Sequence, residues 1–291
     1  MSELARSPAL RGVPGSGLRG LYGRPFLDLG PLLAPYVDLA VLPALHEELC
    51  MGLTRLSPDV TGGSHRSMGI MPPGHEAEAL VDYGEVIAGL DAAGFETLRL
   101  LADDPSAFDP AERAKTTYGE ERAVPLSRRQ LLWLKYRHGV YFPWKVYVEL
   151  MPNRWWSEKH LSEGKRFTRL AESLFPKTLD FVRQLPFESI GRCNLMGLEA
   201  HDHGTLHRDG EPDEQTAPDE FITFSPAQNK TLVLWDPLTR AQVPVAGQAV
   251  WFNDFDYHGV LAAPWFRYSI RVDGVFRDGF VAAIAAEFGG T

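Results

Sequence analysis

The stretch His207-Arg208-Asp209, with His258 and Arg267-Tyr268-Ser269 downstream, decides how this chain reads. On a β-strand successive side chains point to opposite faces, so His207 and Asp209 share one face and Arg208 turns away. His258 follows 51 residues after His207, enough chain for several antiparallel strands to run out and return. Two imidazoles and one carboxylate are the ligand set that holds non-haem Fe(II) on one side and leaves the opposite positions open. Arg267 lies nine residues beyond His258 in an apolar run. As a strand, that run places Arg267, Ser269 and Arg271 on one face. A guanidinium there forks onto a carboxylate through two charge-assisted hydrogen bonds, and a neighbouring hydroxyl adds a third.

The surrounding text is β-like. Short runs at 190–198, 220–225, 231–235, 242–245, 248–252, 258–261 and 266–272 are separated by Pro, Gly, Asn and Asp turns. Regular short strands with that punctuation predict a double-sheet jelly roll, a cupin-like double-stranded β-helix whose mouth can hold a metal. Within 190–198, Arg192, Asn194, Met196 and Leu198 share a face. If that face lines the barrel, Arg192 and Asn194 contact co-substrate or substrate; otherwise they face water. His203 and His207 on one helical turn would suit zinc. Gly204 and Thr205 disfavour a helix there, so His201 and His203 read as lip residues or partners of the ligands.

Upstream, residues 1–20 are rich in Gly, Pro, Ser and Arg and read as a flexible leader, or as a segment that orders only against the rest. Pro31, Pro35 and Pro43 punctuate what should be short helices. Residues 61–75 read as a loop, with His65 and His75 as loop histidines without a role. Helical spacing predicts a helix over 76–90 and another over 128–138, capped by Ser127. Residues 144–150 alternate as a strand, 167–185 as an amphipathic helix interrupted at Pro176, and 279–288 form a closing helix. Trp155 and Trp156 beside Arg154 suit a packed domain seam better than a nucleic-acid groove. The expected class is α+β: a leader (1–20), a mainly helical N-terminal region (21–165) and, with that region packed against it, a β catalytic core (166–291).

Composition narrows the function. The 291 residues are 44% hydrophobic and 23% charged, enough for a sizeable core. A formal net charge of −9 argues against general affinity for nucleic acid or anionic membrane. Two cysteines, Cys50 and Cys193, cannot build a disulfide framework and fit a reducing cytoplasm. No apolar run approaches the roughly 20 residues of a spanning helix, and no cleavable leader is apparent, so a cytoplasmic location is expected. Charge is uneven: residues 122–183 carry 13 Lys/Arg against 5 Asp/Glu, and residues 199–220 carry 8 Asp/Glu against Arg208 alone. That predicts the basic middle packing near the acidic segment or presenting solvated faces, with a basic surface for an acidic peptide as the alternative.

The pattern His207-x-Asp209, His258, Arg267-x-Ser269 resembles the signature of Fe(II)/2-oxoglutarate-dependent oxygenases. Phe175-Pro176 through Leu185-Pro186-Phe187, Ile190-Gly191-Arg192 and Leu195-Met196-Gly197-Leu198 are similar to the bacterial aspartyl/asparaginyl β-hydroxylase-like branch, which includes free-proline hydroxylases. So are Gly247 to Trp251-Phe252-Asn253-Asp254 and His258-Gly259-Val260. The resemblance covers about residues 175–276. It implies Fe(II) on His207, Asp209 and His258, 2-oxoglutarate on Arg267 and Ser269 with Asn194 nearby, and O2 as the oxidant. The implied reaction hydroxylates an unactivated C–H bond of an amino acid or peptide side chain, with natural-product biosynthesis as one setting, and releases succinate and CO2. Arg192, Arg208, Arg271, His201 and His203 are the implied substrate contacts. Two alternatives stand beside it: an oxygenase of nucleic acid or another small molecule with the same metal site, and a non-catalytic cupin-like binding or sensing protein.

Overall fold

A computed structural model describes residues 9–57, 71–75, 83–119, 123–140, 146–153 and 155–290. Two long strands, β5 (Phe187–Leu198) and β12 (Arg267–Phe276), form the centre of the fold and pair antiparallel. Ser269 lies opposite Met196, Arg271 opposite Asn194 and Asp273 opposite Arg192, so one polar face runs across both strands. The other face carries Cys193, Leu195, Tyr268, Ile270 and Val272, all fully buried. Each such aliphatic side chain contributes about 1.5–3 kcal/mol when removed from water.

The remaining strands are β1 (Arg11–Gly12), β2 (Arg19–Gly20), β3 (Phe26–Asp28), β4 (Val146–Met151), β6 (Gly204–His207), β7 (Phe221–Phe224), β8 (Leu232–Asp236), β9 (Ala241–Pro244), β10 (Ala249–Phe252) and β11 (His258–Val260). Among the described residues the strands build a two-stranded sheet, β1-β2, a six-stranded sheet, β3-β10-β7-β12-β5-β4, and a four-stranded sheet, β6-β11-β8-β9. Both edges of the larger sheet come from the N-terminal region, so the boundary expected near residue 165 cuts through the sheet. The three residues of β3 acquire strand conformation by pairing Leu27 with Trp251 and Phe26 with Phe252.

Helices cover the apolar face of the large sheet. They are α1 (Gly30–Leu33), α2 (Leu42–Leu53), α6 (Arg169–Leu174), α7 (Pro176–Gln184) and α8 (Asp278–Phe288), which contribute Leu33, Leu45, Leu49, Leu174, Phe181 and Phe280 to one core. The expected interruption at Pro176 is the junction of α6 and α7. Proline there occupies a first-turn position where no backbone donor is needed. A second, smaller core joins α3 (Tyr83–Gly89), α4 (Ala92–Leu100) and α5 (Arg128–His138) through Ile87, Phe95, Leu98 and Leu134. Helix α5 starts as its sequence dictates. Ser127 Oγ accepts from the Gln130 N–H at 3.2 Å, and Gln130 Oε1 accepts from the Ser127 N–H at 2.7 Å.

Residues 11–20 are ordered against the rest of the protein. Strands β1 and β2 pair, Leu18 is buried, and the Ser16 hydroxyl and Gly17 N–H donate to Asp236 at 2.7 and 2.9 Å. The Arg19 N–H donates to Asp256 at 2.8 Å. Residues 1–8, His65, residues 76–82 of the expected helix, residues 144 and 145 and Arg154 lie outside the described residues. Among those described, no helix is long and apolar enough to cross a membrane.

Candidate metal centre

Strands β6 and β11 are neighbours, with His207 directly opposite His258 and their ring centroids 4.5 Å apart. Asp209 follows the end of β6, where its N–H donates to the Asp254 carbonyl at 2.9 Å. Its Oδ1 then lies 3.7 Å from His207 Nε2 and 3.8 Å from His258 Nε2. One ligand atom from each of the three residues falls within 4.8 Å of the others.

Hydrogen bonding fixes which nitrogen of each ring faces the cluster. His207 Nδ1 is 2.7 Å from the Thr205 carbonyl, and His258 Nδ1 is 2.9 Å from the Asp256 carbonyl. A carbonyl only accepts, so each Nδ1 carries the proton and each Nε2 presents a lone pair. Burial, reinforced at His207 by the neighbouring His258, pushes both imidazoles down to about 4. They are therefore neutral at physiological pH, the form that ligates a metal. Burial and then the nearby Asp254 push the Asp209 carboxyl up to about 6. A divalent cation would reverse that shift, and two imidazole nitrogens with a carboxylate oxygen suit such an ion.

Behind Asp209 lies a buried chain of alternating charges. Arg271 Nη1 is 3.6 Å from Asp209 Oδ2, Nη2 donates to Asp254 Oδ2 at 2.6 Å, and Nε donates to Asp273 Oδ1 at 2.8 Å. The guanidinium also sits 3.8 Å from the centre of the Phe221 ring. Lys159 is 3.7 Å from Asp254 and pairs with Asp219, which His160 Nε2 approaches at 3.0 Å. At Lys159 and His160 the basic middle of the chain thus meets the acidic segment. Arg192 Nε is 4.0 Å from Asp273 Oδ2. The Asn194 amide, in the orientation that satisfies both its ends, accepts from Arg192 Nε and Nη2 at 2.5 and 2.9 Å and from the Tyr147 hydroxyl at 2.7 Å.

The other residues singled out in the sequence have the following partners. Arg208 points away from the cluster, pairs with Glu211 and lies 5.0 Å over the Tyr257 ring. His201 and His203 are exposed in the turn between β5 and β6, at the end of β6 remote from His207. Arg267 is fully buried, and backbone carbonyls take up its donors. Its Nε donates to Leu261 at 3.1 Å, one terminal nitrogen to Glu199 and Trp265 at 2.9 and 3.3 Å, and the other to Asp202. Ser269 Oγ accepts from Lys230 Nζ at 2.6 Å.

Lys230 and Lys159 escaped the reading of the sequence, and Asp254 was read only as part of the run Trp251 to Asp254, without a role. A signal existed for Lys230: it alternates with Leu232 and Leu234, and Leu234 pairs with His258, so all three point the same way as the metal ligand.

No protein-family profile matches the chain, and no curated protein does. Among solved structures it is similar to a 2OG-Fe(II) oxygenase family oxidoreductase from Burkholderia pseudomallei, at 14% identity and a TM-score of 0.28 over 45% of this chain and 70% of that one. A Pseudomonas putida prolyl-4-hydroxylase is similar at 15% identity and TM-score 0.24, over 34% of this chain and 60% of that one. A cupin 2 conserved barrel domain protein from Salinispora arenicola follows at 11% identity and TM-score 0.23, over 49% of this chain and 83% of that one. Each likeness covers less than half of this chain, so the functional reading rests on the chain's own residues.

Proposed function

We propose that this chain is an Fe(II)- and 2-oxoglutarate-dependent dioxygenase that hydroxylates an unactivated C–H bond of an amino acid or peptide side chain, releasing succinate and CO2. A cytoplasmic setting in natural-product biosynthesis accompanies that reading. One observation carries it: the Nε2 atoms of His207 and His258 and the Oδ1 of Asp209 converge, with both rings held in the metal-binding tautomer. A bound ferrous ion supplies O2 activation coupled to the decarboxylation of 2-oxoglutarate.

The chain's own residues hold, orient and shield. His207, Asp209 and His258 occupy one edge of the small sheet and the turn after it, and the polar face of the large sheet forms the opposite wall. On that wall the buried cations Arg192 and Arg271 are met by Asp254, Asp273 and Asn194, which gives the site a fixed, water-poor polar lining. Asp209 supports hydroxylation over halogenation, because its carboxylate takes the position a halide would need. The test incubates the protein with Fe(II), O2, 2-oxoglutarate and a panel of amino acids and peptides. A product one oxygen heavier should appear with one succinate, and neither should appear with Asp209→Ala. Absence of succinate with every substrate, or its persistence in Asp209→Ala, would refute the reading and favour a binding or sensing protein.

A further inference from the structure

The inner wall is arranged in layers along β12. Arg271 reaches Asp209 with its guanidinium, Ser269 lies two residues further along the same face, and Arg267 two further still. Two residues of strand span about 6.8 Å. An extended five-carbon dicarboxylate, with its keto-acid head at the metal ligands, reaches over about that distance. The group that meets its far end is therefore expected in the Ser269 layer.

That layer contains a lysine. Lys230 precedes β8 and reaches across from the small sheet to Ser269 Oγ, with Nζ 2.6 Å away. Arg267, in the layer beyond, is committed to a different task. Its four carbonyl partners belong to the segments 199–202 and 261–265, which the His201 N–H also ties together through the Ala263 carbonyl at 2.7 Å. Turning the guanidinium toward a ligand would break all four of these hydrogen bonds.

We infer that Lys230 with Ser269, rather than Arg267, anchors the distal carboxylate of the co-substrate, and that Arg267 closes the floor of the pocket by clasping two loops. This rests on the oxygenase reading above and assigns a binding role within it. The electrostatics agree with the geometry: burial of the ammonium and then the adjacent Arg267 charge push Lys230 down to about 7. A carboxylate placed against Lys230 and Ser269 would favour the charged ammonium and be held by a charge-assisted pair plus a hydroxyl donor.

The test is calorimetry on Mn(II)-loaded protein, which binds without turnover, using 2-oxoglutarate and 2-oxobutyrate. The second acid keeps the keto-acid head and lacks the distal carboxylate. Lys230→Met should weaken 2-oxoglutarate at least about 30-fold, the lower end for truncating a buried charge pair. It should leave 2-oxobutyrate and Mn(II) affinity within about threefold. Ser269→Ala should weaken 2-oxoglutarate by roughly 3- to 10-fold, as loss of one hydrogen bond does, and serves on its own should Lys230→Met fold poorly. Unchanged 2-oxoglutarate affinity in both variants, or equal losses for the two acids, would overturn the assignment. Wild-type protein that binds Mn(II) and neither keto acid would overturn the oxygenase reading, and this assignment with it.

Discussion

Arg271 Nη1 lies 3.6 Å from Oδ2 of Asp209, while the other oxygen of that carboxylate faces His207 and His258. The arginine is itself fixed by Asp254 and Asp273, so Asp209 is held with one oxygen toward the metal position and the other toward a cation. Partners of this kind orient a ligand and typically govern its metal affinity by 10- to 100-fold. Arg271→Met should therefore weaken Mn(II) binding by about that factor. Arg271→Lys should restore only part of it, because an ammonium cannot reach three carboxylates in one plane. Calorimetric titration of the variants checks both.

The protonation of Asp209 sets the pH response of metal binding. With its carboxyl pushed up to about 6 and both histidines pushed down to about 4, only Asp209 must release a proton between those limits. Affinity should fall about tenfold per unit as pH drops from 6 toward 5, and steepen further near 4 when the imidazoles protonate. Above pH 6 it should level off. Mn(II) titrations across pH 5 to 8 measure the slope.

The charged chain also stabilises the fold. Asp254 is almost fully buried between Arg271 and Lys159. Asp254→Ala removes the shared counter-charge of two buried cations, a change that costs about 3–5 kcal/mol. Urea denaturation should show a lower midpoint with little change in slope.

Asp236 holds the N-terminal segment. Although burial raises its carboxyl, hydrogen bonds from Ser16, Gly17, Leu238 and Thr239 keep it at about 2, against an ordinary value of 3.8. The resulting stabilisation is present above pH 3.8 and is lost as pH falls toward 2. Asp236→Ala should expose residues 11–20 to proteolysis at neutral pH, with cleavage sites read by mass spectrometry.

The grouping of His207, Asp209 and His258 was legible because it is carried by residue type and short spacing: His207-x-Asp209 needs only strand alternation to share a face. The capped helix at Ser127 and the break at Pro176 were equally readable, since both are local backbone effects. The edge strands Phe26–Asp28 and Val146–Met151 were not seen as part of the β core, because a sheet edge is chosen by its tertiary neighbour. The carbonyl partners of Arg267 were hidden for a related reason. An arginine two residues before a serine reads as a carboxylate clamp, yet nothing local reveals that two distant loops bring four carbonyls to it. Lys230 went unread because it precedes β8 in a polar turn, and its alternation with Leu234 gains meaning only once Leu234 is paired with His258.

On the proposed reading, three side chains distant in sequence hold one ferrous ion. Anaerobic titration of the protein with Fe(II) tests it most directly. One ion should bind per chain, and His207→Ala, Asp209→Ala and His258→Ala should each abolish stoichiometric binding while the circular dichroism of the fold is kept. Full binding retained in all three variants, or none in the wild type, would contradict the account.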